Sequence, residues 1–323
     1  MVSQLIREIR FNPLTRDVTI ISTVRRFRPK ITSVSGCPFC PGNEHQTPPA
    51  TLVIKRSRNR FHISREYGDL RSKEWDVRIV PNKFSALSVE DATAYGYHEV
   101  VIETPKHVQD PYELTCEEYA VSLYAAILRI KEILVDPRIE YVAFIKNRGL
   151  RAGASIAHTH SQIFGLPFIP PRIQEELAKY TNGCPVCSYI ENELRDRSRV
   201  IYVGERYVVL ASYAPRLSYE VIVAPLKHSS TPLDLEYEDL LELAYIIRCV
   251  TRSYILKLSF DAYNFWLHMA PKNRDFHWHL VLSPVSATWG GLEKSSHVYI
   301  VEVPPEEACE AIKRSFTEEP PQF

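Results

Sequence analysis

The 323-residue sequence predicts an α+β fold made of two tandem repeats, mainly antiparallel sheet with helices packed on one face. Three observations lead there. Strand-like segments cluster without regular βαβ alternation. Two long helical patterns stand out, and one series of cysteines and histidines occurs twice in the same order.

In chain order, alternating or β-branched runs at Val18–Ser22, Asp76–Val80 and His98–Glu103 read as strands. A helix over Glu117–Leu134 follows, with Tyr119, Leu123, Ala126, Ile127 and Ile130 at helical spacing. Strands at Tyr141–Lys146 and His158–Phe164 complete the first half. Pro170 and Pro171 break the pattern before a short amphipathic helix over Ile173–Lys179, which sets the repeats at residues 1–172 and 173–323. The second half has strands at Val200–Val203, Tyr207–Ser212 and Glu220–Ala224. A helix over Tyr237–Leu256 comes next, with Leu240, Leu241, Ala244, Ile247 and Tyr254 in register. Strands at Ala262–His268, His277–Leu282 and Val298–Val303 end the series.

The duplication is carried by chemistry-bearing residues. The first half has Cys37-Pro38-Phe39-Cys40, then His107, the long helix, and His158-Thr159-His160. The second has Cys184-Pro185-Val186-Cys187, then His228, a long helix, and His277-Trp278-His279. Two cysteines two residues apart reach one ion from a single turn, and neutral imidazoles complete a tetrahedral zinc set. We therefore expect two zinc ions, one on Cys37, Cys40, His107 and His158, the other on Cys184, Cys187, His228 and His277. Four protein ligands close the shell, which marks both ions as structural. At the second site Glu193 is a competing ligand, with His277 and His279, that would suit iron. The paired cysteines could instead be redox dithiols, but those rarely come twice with matched histidines.

Composition narrows the class. Lysine plus arginine equals aspartate plus glutamate at 39 each, so no global field favours nucleic acid or an anionic membrane. No uninterrupted apolar run approaches the ~20 residues of a membrane span, and the first ten residues carry Arg7, Glu8 and Arg10 and lack the apolar core of a signal peptide, so the cytosol is the expected compartment. With 23 prolines against 11 glycines, the sequence has no glycine-rich phosphate loop of the Rossmann or P-loop kind. The lone Cys116, Cys249 and Cys309 sit in apolar helical patterns and read as core.

The segment from Asn147 to Gln162 is rich in small residues and ends on a strand where His158, His160 and Gln162 share a face. If zinc holds His158, His160 is the free imidazole. It can attack phosphorus without first losing a proton, and the P–N bond it forms has a good leaving group. Gln162, Ser155 and Asn147 are uncharged donors for the oxygens of a phosphate.

These residues resemble the signature of the galactose-1-phosphate uridylyltransferase family, members of the histidine-triad superfamily, whose usual form is His-Pro-His-Gly-Gln. The likeness runs from Arg25 to about Ile312. It implies two histidine-triad-like repeats, the second degenerate because no glutamine follows His279 two residues on. It implies His160 as the nucleotidylated nucleophile and Gln162 as its phosphate partner. Asn147, Gly153 and Ser155 match the phosphate-holding loop, Arg25 and Arg28 match phosphate-contacting arginines, and Asn82 lies in a segment that contacts the nucleoside. Glu293 and Lys294 are the candidates for sugar-hydroxyl and phosphate contacts. The resemblance implies UMP transfer from UDP-glucose to galactose 1-phosphate by a ping-pong route in a homodimer. Thr159 and Ser161 depart from the family's proline and glycine, and the tail Gly291–Glu302 resembles it only loosely. An ADP-glucose phosphorylase is the nearest alternative. A nucleotide hydrolase is disfavoured by Gln162 in place of a third histidine. A noncatalytic zinc-bearing binding module is disfavoured by the neutral charge.

Overall fold

The computed structural model describes residues 6–28, 36–57 and 60–318. β1 (Arg7–Phe11) and β2 (Val18–Ser22) form a small antiparallel hairpin sheet. The other strands of the first half are β3 (Leu52–Ser57), β4 (Arg60–Ser64), β5 (Val77–Pro81), β6 (Tyr97–Ile102), β7 (Tyr141–Arg148) and β8 (His160–Leu166). Helix α1 (Cys116–Leu134) lies between β6 and β7. After α2 (Pro171–Leu177) and α3 (Pro185–Asp196) come β9 (Val200–Val203), β10 (Tyr207–Ala211) and β11 (Val221–Pro225). Then α4 (Tyr237–Arg252), β12 (Tyr263–His268) and β13 (His279–Pro284) lead to α5 (Gly291–Ser296) and α6 (Pro305–Glu318).

The two halves build one 11-stranded antiparallel sheet, in the order β4-β3-β5-β6-β8-β7-β12-β13-β11-β10-β9. The second half lays down β9, β10 and β11 inward, passes through a long helix, places β12 at the centre and returns one strand outward; the first does the same with β3, β5 and β6, while β4 folds back outside β3. The strands of the two repeats meet at the middle of the sheet. They fuse because β7 and β12 pair antiparallel from Tyr263 with Arg148 to Leu267 with Phe144, so each strand closes the other's open edge.

α1 starts at a reciprocal cap. The Thr115 hydroxyl accepts the Glu118 N–H at 3.2 Å, and the Glu118 carboxylate accepts the Thr115 N–H at 3.0 Å. α4 continues through a π-helical turn over Ser253–Lys257, so the helical stretch reaches its expected end. The two helices cover one face of the sheet, burying Ile127, Ile130, Leu243 and Ile247 with Phe144, Leu267 and Leu280. Each fully buried side chain of this kind contributes about 1.5–3 kcal/mol. Pleat alternation then turns His160, Gln162 and Asn147 toward the other face.

Two expectations need correction. The Val298–Val303 segment is irregular, not a strand; Val298 and Ile300 are 55% and 68% exposed, and the Glu302 and Val303 N–H groups are taken by the Ser218 hydroxyl at 3.3 Å instead of a neighbouring strand. The strands expected from His158 and His277 begin at His160 and His279, because the Thr159 N–H is taken by Val108 O at 2.7 Å and the Trp278 N–H by Ser229 O at 2.9 Å, outside the ladders.

Candidate active site and metal centres

The two Cys–His series converge as the repeat requires. Around the first centre, Cys40 Sγ lies 3.1 Å from His107 Nδ1 and 3.7 Å from His158 Nδ1, and Cys37 Sγ lies 3.8 Å from His158 Nδ1. At the second, Cys184 and Cys187 lie 3.6 and 3.3 Å from His277 Nδ1, and Cys187 lies 3.5 Å from His228 Nδ1. Each foursome presents its donor atoms within 4.8 Å of one another. Sulfur and nitrogen ligands sharing a tetrahedral zinc stand roughly 3.5 Å apart, so the donor sets fit such an ion. The outer rings agree. His158 Nε2 donates to Thr104 O at 2.8 Å, His277 Nε2 to Pro225 O at 2.9 Å, and His228 Nε2 to Asp275 at 2.9 Å. These bonds leave the Nδ1 atoms of His158, His277 and His228 free as ligands. Burial and the facing Cys37 push the Cys40 thiol up to about 11 without a cation; Cys187 shifts as far, for the same reasons with Cys184 as its neighbour. A bound divalent ion reverses that order and makes thiolates of both.

Glu193, the competing ligand considered for iron, is taken elsewhere: buried Arg199 holds it bidentately at 2.9–3.2 Å. The acid that does approach His279 is Glu176, at 3.7 Å, and it also binds His268.

His160 stands at the head of β8 between two cavities. The larger, of about 990 Å³, is lined by Arg28, Phe39, Val80, Asn82 and Phe84; the other, of about 650 Å³, reaches Asn147, Gly149 and Ser155. His160 Nδ1 donates to His158 O at 2.8 Å. A backbone carbonyl can only accept, so Nδ1 carries the proton and Nε2 keeps its lone pair. Burial pushes the His160 pKa down to about 4, which keeps the ring neutral. The Phe39 ring packs edge-on against it at 5.3 Å between centroids.

The loop between β7 and β8 is shaped by two glycines with positive φ, Gly149 at 83° and Gly153 at 91°. A Cβ on Gly149 would stand 2.3 Å from Asp261 O, so no other residue fits. The loop is pinned from the second repeat, since Asn264 Nδ2 donates to Asn147 Oδ1 at 2.7 Å and to Ala152 O at 3.0 Å. That leaves the Asn147 NH₂ turned away from its tether. Arg28 reaches the loop at Gly153 O, 3.4 Å, and lines the larger cavity, whereas Arg25 is spent on Phe84 O at 3.2 Å. Asn82 fixes its own carbonyl oxygen on the Phe84 N–H at 2.9 Å. Glu293 and Lys294 are not brought to this place: they sit on α5, where Glu293 accepts the Gly290 N–H at 2.9 Å, and neither lines a cavity at His160.

The departures from the signature have a structural reason. Beneath the strand, Lys146 Nζ meets Glu103 at 2.6 Å, Thr159 Oγ1 at 2.7 Å and His160 O at 3.1 Å. The hydroxyls of Thr159 and Ser161 both donate to the Glu103 carboxylate. A proline and a glycine could not do so.

The second histidine pair copies the posture without the surroundings. His279 Nδ1 donates to His277 O at 3.1 Å, as His160 does, but its Nε2 faces Glu176 and Val281 stands where Gln162 does. Two site residues had no signal in the sequence, Asn264 and His98. Each matters through a cross-strand hydrogen bond that only the register creates.

Residues 4–170 match the family model described as galactose-1-phosphate uridyl transferase, N-terminal domain. An ADP-glucose phosphorylase of Arabidopsis thaliana is 27% identical, with 95% of this chain and 92% of that protein aligned. A galactose-1-phosphate uridylyltransferase of Thermotoga maritima is 26% identical, over 96% and 99% of the two chains. Among solved structures, an Arabidopsis ADP-glucose phosphorylase with bound ADP-glucose superposes with a TM-score of 0.74 at 26% identity, covering 95% of this chain and 99% of the other.

Proposed function

This chain belongs to the galactose-1-phosphate uridyl transferase family, and from that premise we propose that it transfers UMP from UDP-glucose to galactose 1-phosphate through uridylyl-His160. The observation that carries the reading is the His160 tautomer: its proton is tied to His158 O, and its free Nε2 opens where two cavities meet. The apolar walls of the larger cavity, Phe39, Val80 and Phe84, suit a nucleoside, with Asn82 as a polar contact. Arg28, Asn147, Gly153, Ser155 and Gln162 lie where the phosphates would then fall, with Arg25 behind them.

His160 Nε2 attacks the α-phosphorus, the bond from phosphorus to the bridging oxygen breaks, and glucose 1-phosphate leaves with that electron pair. A phosphate oxygen of galactose 1-phosphate then attacks the same phosphorus. The P–N bond breaks, UDP-galactose leaves, and the imidazole is neutral again. Gln162, Asn147 and the loop N–H groups stabilise the charge that gathers on the non-bridging oxygens. The catalytic repeat is 1–172, and 173–323 is its degenerate copy.

We assign one zinc to each Cys–His foursome; bound there, zinc fixes the two halves of the fold and keeps the cysteines as thiolates. Iron is the less suited ion, since each set holds two thiolates and no carboxylate. The working unit we propose is a cytosolic homodimer, in which exposed Leu292, Val298 and Ile300 gain cover.

A second reading, supported by the likeness to the Arabidopsis enzyme, is AMP transfer from ADP-glucose to phosphate on the same His160. Steady-state assays with both donors decide between them. Exchange between UDP-glucose and galactose 1-phosphate supports the first; phosphate-dependent cleavage of ADP-glucose alone replaces it with the second.

A further inference from the structure

Gln162 can assist at a phosphate only if its NH₂ end faces the cavity, and an amide by itself has no preference between its two ends. The structure shows what sets it. His98, on β6, is buried at 3% exposure and stacks on Phe164 with ring centroids 4.1 Å apart. Its Nδ1 accepts the Ala86 N–H at 3.0 Å, so the ring proton must sit on Nε2. That nitrogen lies 3.0 Å from Gln162 Oε1. Asn82 also approaches it at 3.0 Å, but with its amide nitrogen, because the Asn82 oxygen is held by Phe84. Of these two neighbours only Gln162 can accept the proton.

We propose that His98 is a positioning residue for nucleotidyl transfer: by donating to Gln162 Oε1 it turns the Gln162 NH₂ toward the phosphate bound at His160. This rests on the reading that Gln162 contacts that phosphate. The chain of bonds runs from a backbone N–H through a tautomer-locked ring to a side-chain amide, and each link fixes the next. Burial holds His98 far below its ordinary range, at about 3, so the ring stays neutral and the relay keeps one polarity. A glutamine can place an N–H where imidazole Nε2–H stood; a phenylalanine keeps the stacking on Phe164 and removes the donor.

The test is single-turnover nucleotidylation of the full-length, metal-replete protein with UDP-glucose and ADP-glucose, read by intact mass after an alkaline quench. His98→Phe should slow adduct formation about 10- to 100-fold, somewhat less than the ~100- to 1,000-fold of losing an oriented donor outright, since Gln162 itself remains, with substrate affinity changed less than the rate. His98→Gln should return to within about threefold of wild type. His98→Phe combined with Gln162→Ala should be no slower than Gln162→Ala alone, because the two act in series. Additive losses in the double variant, or a His98→Gln as slow as His98→Phe, overturn the proposal. A wild type that takes up neither nucleotide overturns the proposed function instead. The ¹⁵N side-chain amide signals of Gln162 then decide the relay alone. One sharp pair retained in His98→Gln and lost in His98→Phe supports it; a pair unchanged in His98→Phe refutes it.

Discussion

Lys146 and Glu103 form an ion pair sealed under β8, 2.6 Å apart with side chains 1% and 0% exposed. The pair holds the backbone of His160 from behind, through the lysine's bond to its carbonyl. Removing one partner leaves a charge without water or counter-ion, so Lys146→Met should cost about 3–5 kcal/mol of folding free energy. Urea unfolding measures it, and a loss under about 1 kcal/mol contradicts this account.

Restoring the family's usual glycine should be unfavourable in this chain. Ser161 donates to Glu103 from a fully enclosed position. Ser161→Gly leaves that carboxylate short of one donor and frees the strand backbone, at a cost of about 1–3 kcal/mol. An equal or higher unfolding midpoint would show that the hydroxyl is dispensable.

Acid should weaken the fold through His98. Burial, with Arg25 and Arg28 nearby, depresses its folded pKa to about 3, while the unfolded chain titrates at about 6.5. Below pH 6.5 the unfolded state therefore takes a proton the folded state refuses, and stability falls as pH falls toward 3. Between pH 7 and pH 5 wild type should lose about 2 kcal/mol relative to His98→Gln. A difference that does not change with pH rules this out.

Metal analysis separates the two centres. Plasma mass spectrometry should find two zinc ions per chain, and one in either Cys37→Ser or Cys184→Ser. The activity losses should differ, because His158 belongs to the first set and its carbonyl fixes the His160 tautomer. Cys37→Ser should therefore slow nucleotidylation more than Cys184→Ser does. Equal effects would sever the link between the first ion and the nucleophile.

Much of this was legible in the sequence because it was written twice. The cysteine and histidine series named both foursomes that converge, and the alternation of His160 and Gln162 gave the face that lines the larger cavity. The fusion of the halves into one sheet was not legible, since nothing local says that β7 and β12 will pair. Asn264 and His98 were invisible for the same reason. Asn264 reaches the loop only because it sits opposite Asn147 across that pairing, and His98 reaches Gln162 across the β6–β8 ladder. Val298–Val303 failed the other way: its β-branched alternation pairs with no strand, and its last N–H groups go to the Ser218 side chain.

The most direct test of the central claim is the mass of the intact protein after mixing with UDP-glucose and quenching at alkaline pH. The account predicts a gain of one UMP, absent in His160→Ala, retained in His279→Ala, and discharged by galactose 1-phosphate. A UMP adduct that persists in His160→Ala, or turnover without any adduct, would contradict it.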